Sequence, residues 1–268
     1  MTLPSRRPAL LYRVSKAFTL LELMIVIGIM TLILALLVPA MNPLKSGADI
    51  TNSAYLLKGA LEQARSYAMA NNTYVWVGFY EEDASKASTI PATAGTGRIV
   101  LSVIASIDGT CVYDPNSTAN PDPIDPARVK QLNKLVKIEN SHLQVFTDGS
   151  GTGSTFDTRP VPDSDPFNGS KGSKIGDINT ADAAPPTNSK FPFQYPVGSP
   201  PLASQYTFNK TLQFSPRGEA NINSTYSLKH IAEITMRPTR GASVDTNTPN
   251  VVAIQFSGIG GNFKIYRR

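Results

Sequence analysis

The sequence predicts an α+β chain in which one long amino-terminal helix packs on an antiparallel β-sheet domain carrying a long irregular insertion. Three observations predict it. Helical periodicity is confined to the part before residue 72, and several short β-branched and aromatic runs follow it, separated by turn residues. The stretch from Asp148 to Gln205 is rich in Gly, Ser, Pro, Asn and Asp without a regular period. Strands that follow a single helix give an antiparallel sheet packed against it.

The helix begins as an apolar run. From Phe18 to Met41 only Glu22 is ionisable, and these 24 residues, at about 1.5 Å of rise each, are enough to cross a hydrocarbon core of roughly 30 Å. Arg6, Arg7, Arg13 and Lys16 precede the run, so the positive-inside rule keeps that end in the cytoplasm and sends the remainder across the membrane. A secretory signal peptide is the competing reading. Against it, the run is long for a signal sequence, Leu37-Val38-Pro39-Ala40-Met41 is a poor small-x-small cleavage site, and Glu22 is an acid inside the run. A carboxylate in lipid is costly, so Glu22 either has a partner or lies at headgroup level; its position alone leaves both open.

The local sequence decides between them. Lys16-Ala17-Phe18-Thr19-Leu20-Leu21-Glu22-Leu23 resembles the processing site of type IV prepilins and type II secretion pseudopilins, in which a small residue precedes the cut and Phe-Thr-Leu-x-Glu opens an apolar helix. The resemblance implies a leader of residues 1–17, cleavage between Ala17 and Phe18 by a prepilin peptidase, and N-methylation of Phe18. It implies that Glu22 pairs with the amino-terminal charge of a neighbouring subunit, with Phe18, Thr19 and Leu20 completing the assembly motif. Pro39 stands where many members carry a helix-kinking proline, while Ala17 replaces their usual glycine. The partners implied are the peptidase, other pilin or pseudopilin subunits, an inner-membrane assembly platform and membrane lipid. The expected location is the inner membrane, single-pass, with the amino terminus cytoplasmic and the carboxy-terminal domain periplasmic or extracellular.

Residues 18–41 are thus the anchor and filament-core helix, 42–72 an amphipathic continuation, and 73–268 a β-rich domain. Pro39 and Pro43 with Gly47 are expected to bend or interrupt the helix. Beyond them Ala54, Leu57, Leu61, Ala64 and Ala68 recur at three and four residues as one apolar face, and Lys58, Glu62 and Arg65 lie off it. Strands are expected at Tyr74 to Tyr80, with Val75, Val77 and Phe79 on one face, and at Arg98 to Ile107, with Ile99, Leu101, Val103, Ala105 and Ile107 together. Weaker runs lie at Leu135 to Ile138 and His142 to Phe146. Clearer ones lie at Thr211 to Ser215, His230 to Arg237, Val251 to Ser257 and Phe263 to Tyr266.

The helix segment Leu61-Glu-Gln-Ala-Arg-Ser-Tyr-Ala68, the run Leu212-Gln-Phe-Ser-Pro-Arg-Gly-Glu-Ala220 and the closing Val252-Ala-Ile-Gln-Phe-Ser-Gly-Ile-Gly-Gly-Asn-Phe-Lys-Ile-Tyr266 are similar to H-type minor pseudopilins and related minor pilins. That resemblance rests on an F-x-P-x-G turn and a final strand, glycine turn, strand hairpin. It covers the first 80 residues and about the last 60, and implies a pilin-like fold.

Charge points to no single partner. The net charge of +5 falls to about +1 without the leader, because four of the 25 basic residues lie there against 20 acids in the chain. Cys111 is the only cysteine, which excludes an internal disulfide, a CxxC pair and a Cys-based zinc site. His142 and His230, with no carboxylate pair beside them in sequence, read as ordinary strand residues, and no catalytic set, metal ligand set or cofactor motif emerges. Gly149-Ser-Gly-Thr-Gly153 lacks the Lys and helix of a phosphate loop, and Asp163, Asp165 and Asn168 lack the Gly and Glu of an EF-hand. Lys264, Arg267 and Arg268 beside Phe263 and Tyr266 are candidate contacts for nucleic acid, though a solvated tail is the favoured reading. The function expected is that of a structural, non-catalytic minor pilin or pseudopilin. The alternatives are a pilus-tip adhesin or DNA receptor working through the basic end and the long loop, and, less favoured, an enzyme on a signal anchor.

Overall fold

The computed structural model describes residues 18–89, 91–111, 124–163, 173–176, 192–198, 203–222 and 228–268, with the side chains of residues 36–46 and 48 outside the description. The proposed leader and cut therefore lie outside the described residues, as do Asp165, Asn168 and the side chain of Pro39. Helix α1 runs Leu20–Ala70. Strands β1 (Val75–Asp83) and β2 (Gly97–Ser106) follow, then a short 3₁₀ turn at Pro126–Arg128. Next come β3 (Val129–Gln131), β4 (Val136–Glu139), β5 (Ser141–Leu143), β6 (Lys174–Ile175), β7 (Phe193–Tyr195) and β8 (Tyr206–Phe208). The chain ends with β9 (Lys210–Phe214), β10 (Ala220–Asn221), β11 (Ala232–Arg240), β12 (Ser243–Val244), β13 (Val252–Phe256) and β14 (Phe263–Arg267). The fold is α+β, and its sheets are antiparallel apart from the short parallel pairing of β6 with β11.

Two compact units divide the chain, Met1–Leu44 and Lys45–Arg268. In the first, every described side chain from Phe18 to Ala35 is exposed, and most are large and apolar. Thr31 Oγ1 donates to Gly28 O at 2.9 Å, so the one hydroxyl in the middle of this run is satisfied within the helix. Of the bend or interruption expected at Pro39, Pro43 and Gly47, the interruption is not found: helix runs through all three. Each proline removes only its own N–H bond, and four-residue spacing puts the two losses on one side of the helix, where neighbouring turns can continue.

The second unit is built on the predicted helical face. Ile50, Ala54, Leu57, Leu61, Ala64 and Ala68 are buried against Val75, Val77 and Phe79 of β1 and Ile99, Leu101, Val103 and Ala105 of β2. The same cluster takes in Ile234 of β11 and Ile254 and Phe256 of β13, so one helix covers two sheets. Their strand orders are β10-β9-β1-β2-β3, with β4 also on β2, and β12-β11-β13-β14, with β5 and β6 also on β11. A fully buried leucine stabilises such a core by about 2 kcal/mol. Ile107 departs from the expected face: β2 ends at Ser106, and Ile107 is 59% exposed.

The first sheet is buried on both faces, which alternation along β1 and β2 did not foretell. Trp76, Val100 and Ile104 point away from the helix and are covered by Phe193, Tyr206 and Phe208 of the β7–β8 hairpin. Gly78 makes this possible, because a Cβ there would lie 2.6 Å from Phe208 Cβ and 2.7 Å from the Phe193 ring. The described parts of the long insertion therefore contribute β6, β7 and a packed segment before Asp163 rather than one featureless loop. Arg159, 1% exposed, fixes that segment: Nε donates to Glu233 Oε2 at 2.5 Å, Nη1 to Phe156 O at 2.6 Å and Nη2 to Thr147 O at 2.8 Å.

Candidate functional site

Helix α1 starts where Thr19 and Glu22 form a reciprocal cap. Thr19 Oγ1 accepts from Glu22 N at 3.2 Å, while Glu22 Oε2 accepts from Thr19 N and from Thr19 Oγ1, each at 2.9 Å. This is the Thr-x-x-Glu capping box, which satisfies donors that a helix amino terminus otherwise leaves open. Leu23 N donates to Thr19 O at 3.2 Å and begins the helical ladder. Phe18 stands at the amino-terminal edge, 81% exposed, with Leu20 and Leu21 also exposed beside it. The capping spacing is present in the sequence, where Glu22 draws notice first as an acid in an apolar run.

Past this cap the described helix carries no charge as far as Ala35, about 22 Å from Leu20 at the usual rise. Among the described residues no helix is long and apolar enough to cross a membrane. Nor do the described residues contain a cluster of three or more His, Cys, Asp and Glu able to hold a metal ion.

The other sequence candidates are scattered. Lys264 lies over the Tyr266 ring at 4.7 Å and Arg267 over the Tyr55 ring at 5.6 Å. Neighbours in a strand alternate faces, so Lys264 and Arg267 point to opposite sides of β14. Arg268 forms an ion pair with Asp157, donating from Nε to Oδ2 at 2.9 Å. The basic end thus belongs to the last strand of a sheet, paired with β13 through Val252 to Phe256, with Lys264, Arg267 and Arg268 themselves exposed. Two of the three glycines at 149–153 spend their N–H groups internally, Gly151 N donating to Arg159 O at 3.0 Å and Gly153 N to Thr158 O at 2.7 Å. Asp163 Oδ2 accepts from His230 N at 2.5 Å. Cys111 is half-buried and accepts from Gln213 Nε2 at 3.0 Å.

Three polar constellations escaped the sequence. His142 does have a carboxylate beside it: its Nδ1 is 2.7 Å from Glu81 Oε1, both side chains being buried where β1 meets β5. Burial pushes the Glu81 carboxyl up, and the bonds from His142, Gly97 and Leu143 offset that only in part. On the opposite face, Glu82 takes Arg98 Nη1 at 2.8 Å and Lys137 Nζ at 3.0 Å, and also accepts from Tyr206 Oη and Ser88 Oγ. Burial opposes ionisation there too, but these donors outweigh it and hold the Glu82 carboxyl at about 2.

The third constellation is Arg65. It donates from Nε to Gly218 O at 3.1 Å and from Nη2 to Gly260 O at 2.6 Å, joining the helix to the Phe214-to-Gly218 turn and to the closing hairpin. Gly218 and Gly261 both have positive φ, +81° and +62°, and a Cβ on Gly261 would sit 2.3 Å from Arg65 Nε. The two motifs that carry the minor-pilin resemblance therefore meet on one side chain. Separations of 153 and 195 residues kept that from view.

A family model for the prokaryotic N-terminal methylation motif matches residues 12–38. No curated protein and no solved structure is significantly similar to the chain. The matched segment spans the cap at Thr19 and Glu22 and the apolar helix after it, and in that segment the chain is similar to type IV pilins and pseudopilins.

Proposed function

We propose that the chain is a structural minor pilin or pseudopilin subunit, made as a precursor, cut between Ala17 and Phe18 by a prepilin peptidase and N-methylated on Phe18. The observation that carries this reading is the methylation motif over residues 12–38, which takes in a helix whose described side chains are exposed and largely apolar to Ala35. Such a surface needs lipid or another helix against it. In this reading residues 18–41 anchor the subunit in the inner membrane and then enter the filament core, with the domain outside the cytoplasm. Glu22 exchanges its intramolecular contact with Thr19 for the amino-terminal charge of a neighbouring subunit, so two groups costly alone in lipid offset each other. Phe18, Thr19, Leu20 and Pro39 shape that contact, and an inner-membrane assembly platform adds the subunits. Head-to-tail stacking of this kind builds an open filament.

A receptor for nucleic acid through Lys264, Arg267 and Arg268 gains no support, since two of these point to opposite faces and the third is paired with Asp157. Mass spectrometry of the protein from membranes tests the proposal. The expected product begins at N-methylated Phe18; a chain that still begins at Met1 would sink it.

A further inference from the structure

A cleft of about 400 Å³ opens between β1, the segment 91–94 and β8. Its position is fixed by the backbone, Ala92 N donating to Gln205 O at 3.2 Å and Gln205 N to Tyr195 O at 2.8 Å. Tyr80 and Tyr206 both line the cleft and meet edge-on, their ring centres 5.3 Å apart. The Tyr206 hydroxyl is already spent on Glu82. Four other polar groups around the cleft are not spent: the hydroxyls of Tyr80 and Thr207 and the amides of Gln205 and Asn209 make no side-chain hydrogen bond among the described residues. Burial, with Glu82 and Tyr206 nearby, raises the Tyr80 hydroxyl above its usual range, so it stays a donor. Among the described residues no carboxylate lines the cleft, and the one cation that does, Lys210, is only 2% exposed and already engaged.

We propose that this cleft is a binding site for a neutral saccharide of one or two rings. A sugar presents an apolar C–H face and a rim of hydroxyls. The Tyr80 ring suits the first, and uncharged groups that both donate and accept, Gln205, Thr207 and Asn209, suit the second. An ionic ligand has no counter-charge here, and a purely apolar one would leave four polar groups unpaired. Exposed amides that merely meet water are the competing account, and the rings and the concave wall distinguish the cleft from that case. The site is independent of the assembly reading, because its residues lie in the unit Lys45–Arg268 and none belongs to the helix.

Saturation-transfer NMR on the full chain, in micelles of a detergent without a sugar headgroup, tests the site with N,N′-diacetylchitobiose, lactose and maltose. The expected result is transfer to the ring C–H protons of at least one disaccharide, weakened about tenfold in the Gln205→Ala/Asn209→Ala double variant. Neither replaced side chain makes a hydrogen bond among the described residues, and circular dichroism checks that the variant is native. Absence of transfer from all three sugars, equal transfer in the double variant, or transfer only to an uncharged Gly-Ser-Gly-Ser peptide would each overturn the proposal. None of these outcomes bears on cleavage at Ala17.

Discussion

Glu81 and Glu82 are adjacent acids with opposite fates. Their side chains leave β1 on opposite faces, and one is raised by burial while the other is held at about 2 by four donors. The signs of their linkage to stability are opposite as well. Glu82 is depressed below the unfolded value of 4.5, so its contribution is complete above pH 4.5 and is lost as pH falls toward about 2. Glu81 is raised, so its proton is held more tightly in the fold, and stability declines as pH rises from 4.5 through its folded value. Thermal melts of Glu82→Gln are therefore expected to be flatter than wild type between pH 4.5 and 2. A wild-type acid limb that survives this substitution would assign the loss to other carboxylates. Neither role was legible from the Glu-Glu dipeptide, because the partners His142, Lys137 and Tyr206 are 55 to 124 residues away.

Elements were more legible than side-chain partners. The apolar face of α1 and the cores of β1, β2, β9, β11 and β13 fall where periods of 3.6 and 2 put them, because local pattern alone selects which face is buried. The β7–β8 hairpin was hidden inside a stretch of turn residues, since a three-residue strand carries almost no periodic signal. Its packing depends on Gly78, a glycine in the middle of a nine-residue strand. Replacing Gly78 with Val should displace the hairpin rather than unfold the sheet. The expected signature is faster amide exchange at Phe193–Tyr195 and Tyr206–Phe208, with Val75–Asp83 still protected. Unchanged exchange in the hairpin would show that the wall tolerates the added carbons.

For the whole molecule, Arg65 is the residue at which the helix, the turn between β9 and β10 and the turn between β13 and β14 converge. A lysine is a point donor and cannot span both carbonyls as a guanidinium does. Arg65→Lys is expected to cost about 2 kcal/mol in urea unfolding, and a loss below about 0.5 kcal/mol would show that the clasp is incidental. The sequence by itself determined the α+β class, the helix and its buried face, most strand positions and the Phe18–Glu22 motif, all of which are local patterns read over a few residues. It also carried both runs on which the minor-pilin resemblance rests, but as unrelated runs. Tertiary structure alone decided that they meet at Arg65, that the first sheet is covered on both faces, that Lys264 and Arg267 are separated, and that unspent polar groups converge beside Tyr80. Each of those depends on contacts between residues far apart in the chain, where only the packing of the core sets which side chains become neighbours.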